Sequence, residues 1–147
     1  MQVRVTAEPF DPGGESNAFL ARHGGAGAAV TFTGIVRSRP DGPILALTLE
    51  CYVELAESQI AALTSEAIAR FSLIDAAVIH RHGRMLPGEP IMQVMTLAPH
   101  REDAFRGAQF LMDYLKTDAP FWKKEETPDG ERWVEAKAED DVARGRW

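Results

Sequence analysis

At 147 residues and 45% hydrophobic, the chain has the size and composition of one compact domain with a sizeable core, and a single domain over 1–147 is expected. Sixteen Lys+Arg against 22 Asp+Glu leave a net charge of −6, which argues against non-specific attraction to nucleic acid or an anionic membrane, so any anionic ligand must be caught locally. No apolar run approaches the roughly 18 residues of a membrane span, and a cytoplasmic protein is the expectation.

In chain order, Val3 to Val5 reads as a short strand, Asp11-Pro12-Gly13-Gly14 as turn material, and Ser16 to His23 as a short helix ahead of the Gly24-Gly25-Ala26-Gly27 break. Ala28 to Arg37 alternates as a strand, with Val30, Phe32 and Val36 on one face and Thr31, Thr33, Ile35 and Arg37 on the other. A polar loop, Ser38-Arg39-Pro40-Asp41-Gly42-Pro43, leads into a second strand from Ile44 to Tyr52. Cys51, the single cysteine, lies on that strand and is expected to be a buried structural thiol; one thiol allows neither an internal disulfide nor a cysteine metal cluster.

Ala56, Ile60, Leu63, Ala67, Ile68 and Phe71 recur at helical spacing, which predicts an amphipathic helix over roughly Leu55 to Phe71. Ala76 to His80 and Ile91 to Leu97 follow as strands, linked by residues 83–89. His80 and His82 lack a third ligand at suitable spacing, so a structural role is expected for them and no metal site. The mixture predicts an α+β fold.

From Pro99 onward, Ala104, Phe105, Ala108, Leu111, Met112 and Leu115 predict a helix with an apolar face, and Glu102 and Asp103 suit its N-terminus. At about 100° per residue, Lys116 falls close to Phe105 and Met112, in line with that face. A desolvated lysine is a usable nucleophile or base, whereas a lysine that merely snorkels at a helix end is structural. Beyond it, Phe121 to Glu125 reads as a strand joined through Thr127-Pro128-Asp129-Gly130 to a strand from Glu131 to Ala136. Alternation puts Lys123 on the face opposite Trp122 and Lys124, and Trp122 is expected to pack against Trp133 across the hairpin. Phe19, Phe71, Phe105 and Phe110 read as core.

The string from Met112 to Glu125, Met-Asp-Tyr-Leu-Lys-Thr-Asp-Ala-Pro-Phe-Trp-Lys-Lys-Glu, closely resembles the signature of the molybdopterin synthase large subunit family, MoaE. Further stretches fit in family order: Thr31 to Arg37, Leu47 to Tyr52, Val78 to Arg81, Ala98 to Arg101, and Gly130 to Ala136. The resemblance implies an α/β hammerhead-like α+β subunit with an antiparallel sheet, packed helices and a C-terminal β-hairpin. It implies a homodimer within a heterotetramer, each copy binding a small ubiquitin-like sulfur carrier (MoaD-like) whose C-terminal Gly-Gly thiocarboxylate enters a pocket. There, two sulfurs pass in turn to cyclic pyranopterin monophosphate to build the dithiolene of molybdopterin, with no cofactor.

Carried over residue by residue, the resemblance makes Lys116 and Lys123 catalytic. It makes Ile35, Val36, Arg37, His100, Arg101, Lys116, Lys123, Lys124 and Glu125 substrate-binding. Ile35 stands where the family commonly has a basic residue, and the 38–42 loop departs from the usual Asn-containing one, leaving Arg39 to compensate. A guanidinium at the end of a strand and a His-Arg pair at a helix start are both suited to an anion. A competing reading is a module that docks a ubiquitin-like tail or a phosphate without turnover; single-stranded RNA binding through Trp122, Lys123 and Lys124 is disfavoured by the charge balance.

Overall fold

The computed structural model describes residues 1–134 and 138–147. In chain order the elements are β1 (Gln2–Thr6), α1 (Pro12–Ala21), β2 (Ala28–Ile35), β3 (Ala46–Glu50), α2 (Val53–Arg70) and β4 (Asp75–Arg81). They continue with β5 (Gly83–Met85), β6 (Pro90–Ala98), α3 (Arg101–Thr117), β7 (Trp122–Thr127), β8 (Gly130–Val134) and α4 (Ala138–Arg144). The α+β class and the C-terminal hairpin are as expected; the part of the second hairpin strand expected over Glu135 and Ala136 lies outside the described residues.

The strands form two four-stranded sheets, ordered β1-β4-β6-β2 and β5-β3-β7-β8. The expectation of an antiparallel sheet needs one correction: β1 and β4 run parallel, with Val3 opposite Val78. Between them the chain crosses into the second sheet and returns through α2, the kind of long crossover that a parallel pair requires. All other pairs among the described residues are antiparallel.

β4 and β6 are the centre of the first sheet, and every residue of β4 is buried. Helices α2 and α3 cover one face of the sheet, where Val78, Val94, Ile60 and Leu111 pack together; α1 covers the other, with Phe19 against Ala77, Ile79 and Met95. Burial on both faces is why these strands read as near-continuous apolar runs. Two polar residues of β6 are tied in: Gln93 donates from its amide to Pro12 O at 3.0 Å, its Oε1 having no partner, and Thr96 donates its hydroxyl to Ala104 O at 2.7 Å, which ties β6 to α3.

Three short elements depart from the expected layout. β5 lies inside the stretch read as a linker and is recognisable only by its pairing with β3, since it has three residues and starts at a glycine with φ +91°. β2 stops at Ile35 rather than Arg37 because a register shift between Gly34 and Ile35 breaks the alternation. That bulge turns Val36 inward, to 2% exposure, while Ile35 faces out at 55%. The third element is α4, a polar seven-residue helix with no apolar stripe to announce it.

Gly27 fixes the corner from which α3 starts. Its N–H bonds Ala98 O at 3.1 Å, and a Cβ there would collide with the carbonyl oxygen of Pro99. Gly27→Ala is expected to cost about 1–3 kcal/mol, since the obstacle is backbone and cannot rotate away; urea denaturation would measure it.

Candidate active site

Where the two sheets meet the C-terminal end of α3, they leave an open cavity of about 450 Å³. Its walls are mostly apolar: Leu47 and Leu49 from β3, Met92 from β6, and Met112 and Leu115 from α3. Polar groups enter at Thr33, His80, Lys116, Thr117 and Lys123, and no carboxylate lines it among the described residues. Two lysines on the wall of a largely apolar hollow suit a ligand that carries negative charge.

Lys116 stands on the last turn of α3, which is firmly tied down. Asp118 N–H bonds Tyr114 O at 2.7 Å, and Thr117 donates its hydroxyl to Asp113 O at 2.9 Å. From the C-terminal segment, Arg144 pairs with Asp118 at 2.8 Å and the Trp147 indole N–H bonds Asp113 at 2.6 Å. Trp147 also packs its ring edge against Phe71 and Phe110, which gives this residue an anchoring role.

The expected position of Lys116 in the buried stripe is not met: the side chain is exposed, at the rim of the cavity. The buried arc of α3 is Ala104, Gly107, Ala108, Phe110, Leu111 and Leu115. Phe105, expected in the core, is 62% exposed. At about 100° per residue, Arg101, Phe105, Met112 and Lys116 fall within one narrow arc beside the buried one, so the helix carries a second, uncovered stripe.

Lys123 comes from β7, half-buried, on the cavity face. Lys124 points to the other side of the sheet, with its ammonium 3.6 Å from Glu131 and over the Trp133 ring at 5.5 Å. The alternation read from the sequence is therefore correct. Trp122 meets Tyr52 edge-on at 5.8 Å, while the residue across from Trp133 is Lys124, so the expected tryptophan pair is replaced by a cation over a ring. Glu125 is taken up by Arg132 at 2.8 Å and does not reach the cavity.

Of the other expected residues, Ile35 lines the cavity and Val36 packs in a small buried cluster with Ile44 and Met85. Arg37 is exposed just past Ile35. His100 is the N-cap of α3 and Arg101 its first residue, both exposed. Fifteen residues separate Arg101 from Lys116, so within one chain they stand roughly 22 Å apart along the helix axis. Cys51, expected to be buried on the strand, lies just past the end of β3 and is half-buried against the core, and burial pushes its pKa up.

For one lining residue the sequence points only to a structural role. His80, 6% exposed, stacks on Phe121 with ring centroids 4.0 Å apart and planes at 15°. The clue was an imidazole on the same strand face as Ala76 and Val78, the face that the helices cover. Burial pushes its pKa down to about 4, with the nearby His82 adding to the effect against a bond to the Arg81 carbonyl.

Histidine ordinarily titrates near 6.5, so between that pH and about 4 the unfolded chain takes up a proton that the folded one refuses. This stabilising contribution is complete above the upper value and declines as pH falls, by about 2 kcal/mol at pH 5. Denaturation midpoints of wild type and His80→Asn, compared at pH 7 and pH 5, should show the wild type losing more on acidification by that amount.

An open two-sheet α+β scaffold with an apolar, lysine-bearing cavity defines the class: a protein that admits an anionic group into a partly dry site. The MoaE protein family model matches residues 5–118, and the chain belongs to the MoaE family. The molybdopterin synthase catalytic subunit of Cereibacter sphaeroides is 55% identical to it over 147 residues, covering 100% of both chains. The Escherichia coli K12 protein of the same name is 46% identical, covering 99% of this chain and 97% of its own. Among solved structures, the MoaE protein of Burkholderia ambifaria superposes with a TM-score of 0.83 at 46% identity, covering 100% of this chain and 98% of that one.

Proposed function

We propose that this chain is the catalytic subunit of molybdopterin synthase, moving sulfur from the thiocarboxylate of a small ubiquitin-like carrier to cyclic pyranopterin monophosphate. The observation that carries this reading is the pattern of unneutralised charge. In an acidic chain whose other cations mostly find carboxylates, Arg37, Arg39, Arg101 and Lys116 have no ion-pair partner among the described residues. Leaving Lys116 unpaired at the rim of the cavity and three guanidiniums exposed outside it makes sense if the counter-charge arrives with the ligands.

In this reading the carrier's Gly-Gly tail enters the cavity and its sulfur attacks the pterin precursor. Lys123, Arg37, His100 and Arg101 hold the phosphate, and Ile35, Val36, Lys124 and Glu125 flank the residues that carry these groups. Lys116 stabilises negative charge or passes a proton as the cyclic phosphate opens. Water cleaves the acyl–sulfur bond, releasing the carrier as a carboxylate, and a second carrier supplies the other sulfur. The whole chain acts as one domain in the cytoplasm; no helix among the described residues is long and apolar enough to cross a membrane.

The same reading requires a second copy. Arg101 and Lys116 are too far apart along one helix to touch one substrate. Two α3 helices running antiparallel across a two-fold axis would set residue 101 of one against residue 116 of the other, with Phe105 facing Met112. The exposed Phe105 then becomes interface, and each site draws on both copies.

The test is reconstitution. Purified protein, a thiocarboxylated carrier and cyclic pyranopterin monophosphate should give molybdopterin. Carrier binding with no product would favour the docking-module reading.

A further inference from the structure

We propose that His80 is the hydrogen-bond acceptor that receives a peptide N–H of the carrier's inserted Gly-Gly tail, an inference that rests on the tail-binding reading of the cavity above. The argument begins with the tautomer. Nδ1 of His80 lies 2.9 Å from the carbonyl oxygen of Arg81, and a carbonyl only accepts, so Nδ1 carries the proton. That leaves a lone pair on Nε2.

Nε2 has no partner among the described residues, yet it is absent from the sealed polar atoms without partners, Arg81 Nε, Arg81 Nη1 and Gln93 Oε1. It is therefore reachable, and the space it borders is the cavity. Phe121, parallel to the imidazole, covers one ring face, so the ring's open chemistry lies in its plane, where that lone pair points. A pKa of about 4 keeps the ring neutral, and hence an acceptor, at physiological pH.

The second half of the argument is what a Gly-Gly tail offers. Without side chains, it can be recognised only through its terminal anion, its carbonyls and its N–H groups, and a donor buried in an apolar hollow needs an acceptor. Lys116 and Lys123 are pure donors, suited to the anion and the carbonyls. Thr117 has given its hydroxyl proton to Asp113 O, so its oxygen can only accept, from the half-buried end of α3. Of the lining side chains that can accept, Thr33, Thr117 and His80, the imidazole is the one that is buried, at 6% exposure, and its free nitrogen can only accept.

The test uses full-length protein and two carriers, one ending in Gly-Gly carboxylate and one lacking both glycines, with affinities from calorimetry. His80→Asn keeps a donor near Nδ1 and deletes the acceptor, whereas His80→Gln places an amide oxygen near Nε2. The expected result is that H80N weakens binding of the complete carrier by about tenfold, leaves the truncated one unchanged, and that H80Q recovers most of the loss. Ring ¹⁵N spectra of the wild type should show Nε2, and not Nδ1, moving when the complete carrier is added. Undiminished binding by H80N, equal loss in H80Q, or an unmoved Nε2 resonance would overturn the proposal. If wild type itself binds both carriers equally, the tail-channel reading has failed and this inference with it.

Discussion

Lys116→Ala is expected to lower molybdopterin formation by roughly 100- to 1000-fold, the range seen when a charge-stabilising donor is removed from a reaction centre. Carrier affinity should stay within about threefold, because a rim charge contributes little to binding. The ammonium stands at the cavity mouth with no ion-pair partner among the described residues, on a helix end held by Asp118, Arg144 and Trp147. Such a fastened position brings a charge to the same point each time, which is what electrostatic stabilisation requires. Exposure in the single chain also means that any desolvation of Lys116 has to come from what covers it, the carrier tail or a second copy. Lys116→Arg separates two roles: recovery would show that positive charge suffices, and continued inactivity would show that a proton must leave the amine. Equal loss of turnover and carrier binding in Lys116→Ala would instead make this lysine a docking residue.

The sequence exposed the site better than it exposed the helix face that carries it. Lys123 and Lys124 were separable because a strand's period of two leaves no ambiguity about which face each takes. On α3 the apolar residues span a wide arc, and periodicity alone could not say that Phe105 and Met112 flank the core while Phe110 enters it. Burial depends on what is packed opposite, and that is a tertiary fact. The bulge at Gly34 was equally hidden: Ile35 and Val36 look like one more alternation until the register against β6 shifts. β5 depends on a partner strand far away in sequence, and three residues beside a left-handed glycine give no pattern of their own. His80 was visible as a histidine in an apolar strand, but its place at the cavity wall required knowing where Phe121 returns.

The misplaced stripe on α3 leads to the other large effect. If Arg101 of one copy serves the Lys116 of its neighbour, Arg101→Ala and Lys116→Ala proteins should each be nearly inactive alone and recover activity when mixed under conditions that exchange subunits. A heterodimer has one site with both residues intact and one with neither, and random exchange makes half the dimers heterodimers. The expected recovery is therefore about a quarter of wild-type turnover. Phe105→Glu should leave the fold intact, since the residue is 62% exposed in the single chain, but should bury a carboxylate against Met112 of the partner subunit on each side of the two-fold and yield monomers by light scattering. Those monomers should bind carrier and make almost no product. Absence of recovery on mixing, with exchange verified by differently tagged chains, would confine the site to one copy. Arg101 and His100 would then have to be dropped from it, because no bend of a 17-residue helix brings its first residue to its last turn.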